Sequence, residues 1–371
     1  MKPTFNTFSQ AEFVQELRKR VDHHFTNNGI SKYANRAMVL KTLFFFTTWL
    51  GSYLLLVLGN FTFEINLIIW IILGFSISFI CVNVGHDAIH GAYSSRKWVN
   101  QLLAHTFNIN GASAYMWRKM HNNAHHTYTN IDGFDEDIES VPIIRLSPTQ
   151  KLKKIHQYQF IYILPFYGLA TLSWVFIKDY IKFFKNQVGN YNHAQHPIKE
   201  YFYLFFYKIL NYTLFLVIPL LVLQDSWQLV VTGFLIMHFF AGITLALIFM
   251  LAHVVEQTHF PQPDSQGSLE NSWAVHQLYT TANFSRKSKV ALFFTGGLNL
   301  QVEHHLFPHV CSIHYRDIAP IVEATARAHN LPYLYNTTFW SALGSHVRFL
   351  KKMGQQTNYK TPQYMIEELN A

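Results

Sequence analysis

Cysteine is almost missing from this chain. Its 371 residues include two, Cys81 and Cys311. That count excludes a disulfide framework and any cysteine-built metal knuckle, and both thiols read as buried apolar residues. Charge is also scarce, at 13% of residues against about 25% in a typical soluble domain. The N-terminus lacks the apolar core of a cleavable signal peptide, so the first span is expected to serve as the insertion signal. There is no Gly-rich phosphate loop, nucleophile elbow or HExxH zinc-protease motif. No internal repeat, low-complexity block or Pro/Gly linker divides the chain. The net charge is +8, but the basic residues are scattered among aromatic and His-rich loops with no basic helix. Nucleic-acid binding is therefore not expected, and the positive charge reads as the cytoplasmic side of a membrane protein.

Apolar length takes the place of charge. Half the residues are hydrophobic and 33 are Phe. Four segments, 39–58, 63–84, 202–223 and 228–251, each approach the roughly 20 residues that a bilayer core requires. The connections Gly59–Thr62 and Gln224–Trp227 carry no Lys or Arg. The flank before the first span holds Arg18, Lys19, Arg20, Lys32, Arg36 and Lys41. The positive-inside rule then puts the N-terminus in the cytoplasm and returns the chain there at Gly85. Lys208 lies inside the third span, near enough to its cytoplasmic end to snorkel. Segment 101–116 is too short and polar to cross, and 159–178 contains Pro165 and Gly168 with Lys on both flanks. Both read as interfacial. The expected fold is all-α integral membrane: four transmembrane helices with interfacial helices and a cytosolic histidine-bearing cap. Residues 1–38 form a cytosolic or interfacial segment, 39–335 the membrane domain and 336–371 a cytosolic tail. Within the first segment Phe8, Phe13, Leu17, Val21 and Phe25 recur at near-helical spacing, which suits an interfacial amphipathic helix and a packed surface helix equally.

Beside the spans lie three histidine clusters: His86-Asp-Ala-Ile-His90, His121-Asn-Asn-Ala-His125-His126 and Gln301-Val-Glu-His304-His305. On an α-helix, residues four apart share a face, so His86/His90 and His121/His125 can each ligate one metal or two neighbouring ones. His126 then points elsewhere on its turn, where it can reach the second metal, and His304 and His305 diverge toward two partners. Imidazole suits iron, copper, zinc and nickel alike. A soluble di-iron carboxylate bundle would need two Glu-x-x-His pairs, and the chain has one, Glu256-Gln-Thr-His259. The carboxylates Asp87, Asp135, Asp137 and Glu303 are placed to receive the second N–H of ligating histidines, although a solvated loop explains 132–139 as well. His105, His156, His238, His309, His314, His329 and His346 read as ordinary hydrogen-bonded residues. Arg118 and Lys119, or Arg286 and Lys287, suit an anionic headgroup.

In these clusters the chain resembles the membrane fatty acid desaturases of the histidine-box di-iron family. The HxxxH box is matched by His86 and His90, the HxxxHH box by His121, His125 and His126, and the QxxHH box by Gln301, His304 and His305. Trp117-Arg-Lys-Met before the second box, Gly296-Gly297-Leu298-Asn299 before the third and Leu306-Phe307-Pro308 after it extend the likeness, from about residue 38 to 335. The resemblance implies an enzyme that inserts a cis double bond into an acyl chain with two iron ions and O2. It also implies a further histidine near the end of the fourth span. His253 fits that place, with His259 and His276 as rivals. Gln301 becomes a weak ligand or a hydrogen-bonding neighbour, and it resembles the front-end enzymes, which act between an existing double bond and the carboxyl end.

The substrate is then acyl-CoA, an acyl carrier protein thioester or an acyl lipid. Many front-end relatives carry a haem domain with a His-Pro-Gly-Gly motif, which this sequence lacks, so the electrons are expected from an external ferredoxin or cytochrome. That departure also tilts the expected location toward a bacterial inner membrane, with the site on the cytoplasmic side. Two rivals remain at this point: a membrane di-iron fatty acid hydroxylase or ketolase, and a His-rich metal-binding or transport protein. The latter should hold its ion near mid-bilayer, whereas these clusters flank the spans.

Overall fold

The computed structural model describes residues 2–6, 10–139, 141–188, 191–192 and 195–355. Phe8 and the tail beyond 355 lie outside the described residues. The architecture is helical, and the strands among the described residues form only two-stranded ladders. Four described helices are long and apolar enough to cross a membrane: Arg36–Leu58, Phe63–Ile89, Ile198–Val222 and Trp227–His253. These are the four expected spans, each extended at one or both ends. The segment expected at the interface forms two helices, Lys154–Tyr167 and Ala170–Phe184, which meet at 70° around Gly168. The expected all-α integral membrane architecture is the one found.

The chain divides into two compact units. One comprises 34–118 and 164–247 and holds most of the four spans. Its second and fourth spans approach through small residues, as membrane helices do when the hydrophobic effect cannot drive them together. A Cβ on Gly74 would meet the Met237 carbonyl, and one on Gly233 would meet the Trp70 ring. Ser78 Oγ donates to Ala241 O at 2.9 Å. Leu56, Trp70, Leu73, Ile77, Phe215, Phe234 and Met237 pack into one apolar cluster around these contacts. Asn66 Nδ2 donates to Asp225 Oδ2 at 2.9 Å, tying the start of the second span to the turn between the third and fourth. Helix Lys97–Ile109 buries Ala104 and Phe107 while Trp98 and Leu102 are exposed, as an interfacial helix requires.

Lys208 corrects one expectation. It does not snorkel. It is 3% exposed, and its ammonium donates to Gly111 O at 2.7 Å, Trp174 O at 2.6 Å and Asp179 Oδ2 at 2.9 Å.

The other unit comprises 1–33, 119–163 and 248–371. Helix Ala11–Asn27 buries Phe13, Leu17, Val21 and Phe25 in a core with Tyr315, Ile318, Val322 and Ala326 of helix Tyr315–Ala328. Its apolar stripe is thus spent on protein packing, which decides between the two readings left open by the spacing. Parallel ladders pair Thr4–Phe5 with Ser268–Leu269, and Ala282–Phe284 with Leu334–Asn336. The arginine Arg145 is 1% exposed and fastens its loop through Gln150 O, Pro148 O and Met353 O. Helix Phe339–Gln355 carries that last acceptor.

Candidate metal centre

Local winding decides where the second-box histidines point. Arg118–His125 is a π-helix, not an α-helix. Its i→i+5 hydrogen bonds widen the turn, and such segments concentrate at functional sites. Residues five apart come onto one face, so His126 Nε2 lies 3.3 Å from His121 Nε2. The expectation that His126 turns elsewhere, made for an α-helix, fails for this reason. His121 and His125 remain neighbours, their rings stacked 5.0 Å apart. Another π segment, Cys81–Gly85, ends immediately before the first box. In that unit the His86 and His90 rings lie 4.7 Å apart, and Asp87 Oδ1 is 3.9 Å from His86 Nδ1.

Two distant chain segments converge on His125. His253 ends the fourth-span helix, and His305 sits in the third-box helix Gln301–Leu306. Gly296 and Gly297 feed that helix from positive φ, where a Cβ on Gly297 would also strike Ser312. One ring nitrogen from each of His125, His253 and His305 falls within 4.8 Å of the others. His121, His125 and Asp137 form an overlapping group at the same limit. His126 stacks on His305 at 4.3 Å and meets His304 edge-on at 4.6 Å. All six of these histidines are buried.

Behind the rings is a shell of acceptors. Asp135 takes His125 Nδ1 with both oxygens, at 2.9 and 3.0 Å. Asp137 Oδ2 is 3.0 Å from His121 Nδ1. His253 Nδ1 donates to Thr280 O at 3.2 Å, His305 Nδ1 to Gln277 Oε1 at 2.8 Å, and His304 Nδ1 lies 3.0 Å from Tyr315 Oη. An acceptor at Nδ1 fixes the tautomer and leaves the Nε2 lone pair for a metal. The Nε2 atoms of His125 and His253 are buried with no hydrogen-bond partner. Clustered imidazole nitrogens with orphaned lone pairs fit a borderline transition metal such as iron, and fit a closed hydrogen-bond network poorly. Burial opposes a charge on His125, but Asp135 and Asp137 outweigh it and push its pKa up to about 9.

The remaining candidates sort by contact. His276 donates Nε2 to Thr129 O at 2.9 Å, and burial lowers its pKa to about 4. The ring of His259 packs 4.9 Å from that of Tyr279. Of the three rivals, the structure gathers His253 with other histidines. Glu303 gives its oxygens to Asn283 Nδ2 at 2.9 Å and Tyr333 Oη at 2.7 Å, not to a ligating histidine as expected. Burial raises its pKa to about 7 against those two bonds. Gln301 is 1% exposed, and its Nε2 has no hydrogen-bond partner. Arg286 is committed to Glu323 at 2.8 Å and to the faces of Tyr333 and Tyr335, which counts against a headgroup role. Six of the seven histidines read as structural make hydrogen bonds of that kind: His105, His156, His238, His314, His329 and His346. Gln277, Thr280 and Tyr315 escaped the sequence reading because a single acceptor on a distant segment leaves no spacing pattern.

Fold and site together define a helical membrane protein with a buried, carboxylate-backed histidine centre. The fatty acid desaturase family model matches residues 65–337. The chain is 34% identical to the sn-1 linoleoyl-lipid 6-desaturase of Arthrospira platensis, over 97% of its own length and 96% of the relative's. It is also 34% identical to the enzyme of that name from Synechocystis, over 92% and 96%. To the acyl-lipid (8-3)-desaturase of Physcomitrium patens it is 33% identical, over 92% and 72%. The chain belongs to the fatty acid desaturase family, and it is an oxidoreductase that desaturates acyl chains.

Proposed function

We propose that this protein is a front-end desaturase of acyl lipids. It places a cis double bond between an existing double bond and the carboxyl end of the chain. The observation that carries the reading is the convergence of His125, His253 and His305, each held from behind by a different acceptor. The proposed ligands are His86, His90, His121, His125, His126, His253, His304 and His305, with Gln301 as a weak ligand or hydrogen-bonding neighbour. Asp135 and Asp137 orient two of them. Asp87, 3.9 Å from His86 Nδ1, supports the first box, and Glu303 anchors the third-box helix through Asn283 and Tyr333. The regiochemistry rests on Gln301 and on the 6- and (8-3)-desaturase names of the relatives.

Two irons bound by this set supply the oxidising power for a desaturation with O2. Overall, –CH2–CH2– becomes –CH=CH– while O2, two electrons and two protons become two waters. The protein contributes position and dryness. With Nδ1 held by Asp135 and by Thr280 O, His125 and His253 would turn Nε2 toward the metal, which displaces the proton that Asp135 and Asp137 otherwise favour on His125. Burial keeps bulk water from the six rings. The electrons come from an external ferredoxin or cytochrome. We assign the protein to a bacterial inner membrane, with residues 39–335 as the desaturase domain and the site on the cytoplasmic face.

The test is the fatty-acid profile of an expressing host fed candidate unsaturated acids, with double bonds located by mass spectrometry. A new double bond on the carboxyl side of an existing one is expected. Hydroxy or keto products would replace this reading with the hydroxylase or ketolase. His125→Ala and His304→Ala should each abolish the new product and lower iron per chain while membrane insertion persists. Full activity in both would refute the metal assignment.

A further inference from the structure

Helix Trp273–Thr280 supplies no proposed ligand, yet it touches the second box, the end of the fourth span and the third box. Trp273 Nε1 donates to His126 O at 2.9 Å, His276 to Thr129 O at 2.9 Å, and Thr280 O receives His253 Nδ1. Its central residue is Gln277, completely buried. Gln277 Oε1 faces His305 Nδ1 at 2.8 Å and Thr129 Oγ1 at 2.9 Å, and Nε2 faces His126 O at 3.2 Å.

These partners are not equivalent. A backbone carbonyl can only accept, so His126 O forces the amide nitrogen of Gln277 toward itself. The amide oxygen must then face His305. An oxygen there requires a proton on Nδ1 and leaves Nε2 of His305 as a lone pair. We propose that Gln277 is a positioning residue: it transmits the orientation of the second-box backbone into the tautomer and ring angle of His305. The inference rests on the assignment of His305 as a ligand.

The other groups around Gln277 have alternatives. His126 O keeps its bond from Trp273, and Thr129 Oγ1 also reaches His125 O at 2.8 Å. Substituting Gln277 with an apolar residue of similar length therefore withdraws the short acceptor from His305, whose Nδ1 keeps the longer contact to Thr129 Oγ1 at 3.4 Å, while leaving both neighbours a partner. Outer-shell partners of metal-bound histidines typically matter by about 10–100-fold in metal affinity, and that is the effect expected.

The test uses the full-length protein in detergent, stripped of metal. Cobalt(II) is titrated by its visible absorption and iron(II) by chelator competition. Gln277→Leu should melt as the parent does when metal-free and bind both metals roughly 10–100-fold more weakly. Gln277→Glu keeps an acceptor at His305 but loses the donor to His126 O, so it should bind both metals at least about threefold more tightly than Gln277→Leu and shift the cobalt bands. Gln277→Leu binding within about twofold of the parent would overturn the inference. So would equal impairment of both variants, since the position would then matter only for packing. Should Gln277→Leu not fold, a parent-like cobalt spectrum in Gln277→Glu would overturn it alone. His305→Ala in the same titration separates the two levels. Retained metal there defeats the ligand assignment, whereas loss there with none in Gln277→Leu defeats only the role of Gln277.

Discussion

A lysine inside a membrane span invites a functional reading, and Lys208 offers a sharp test of a structural one. Its three N–H donors are all used, by two carbonyls and Asp179. Asp179 is 2% exposed and takes, besides Lys208, the Ser113 backbone N–H at 2.7 Å. Lys208→Met keeps the length of the side chain and removes the charge. Asp179 is then left with one neutral donor for a buried carboxylate, and the Gly111 and Trp174 carbonyls lose an ammonium. Breaking one partner from a buried pair costs about 3–5 kcal/mol. Replacing both is often near neutral, so Lys208→Met with Asp179→Asn should recover about 2–4 kcal/mol of that loss. A snorkelling lysine would cost at most about 0.5 kcal/mol, as surface substitutions do. The assay is denaturant unfolding of the detergent-solubilised parent, both single variants and the double. Iron per chain should match the parent in every folded variant, because neither residue belongs to the ligand set. A loss under about 1 kcal/mol in Lys208→Met, or a double variant no more stable than that single, would refute the reasoning.

Other expectations concern the metal centre. Asp135 binds His125 with both oxygens and also accepts the Asn130 and Asp137 backbone N–H groups. In Asp135→Asn an amide N–H must face one of these donors, so chelator competition should show iron held roughly 10–100-fold more weakly. His253→Ala should lower iron per chain measured by elemental analysis, whereas His276→Ala should keep its iron and lose melting temperature, because His276 spends its donor on Thr129 O. The reverse pattern would exchange the roles of the two residues.

What the sequence made legible was set by period and length. Four apolar runs of bilayer length became four helices because nothing else can satisfy their backbone groups in lipid. The box histidines were legible because ligand residues recur at short spacings. The fate of the N-terminal stripe was not, since Phe13 and Leu17 suit lipid and protein equally. Only the distant residues Ile318 and Val322, more than 290 positions away, decide it. Lys208 misled for the same reason. Its position near a helix end was visible, but the carboxylate that holds it comes from another helix.

The second box shows a subtler limit. Spacing arguments assume 3.6 residues per turn, and on that assumption His121 pairs with His125 while His126 faces away. The π winding of Arg118–His125 moves His126 back beside His121. That winding is unfavourable in isolation and rare, so propensity alone does not announce it. It persists here where Trp273 and Gln277 reach His126 O, Thr129 bonds His125 O, and Asn130 Nδ2 bonds His253 O at 2.9 Å. The histidines name the chemistry, but the residues that hold the backbone in this shape decide how many rings can face one point. For this chain those residues are a Trp, a Gln, a Thr and an Asn, all common in any helix or loop. Their role becomes visible only when segments 119–130, 253 and 273–280 are brought together.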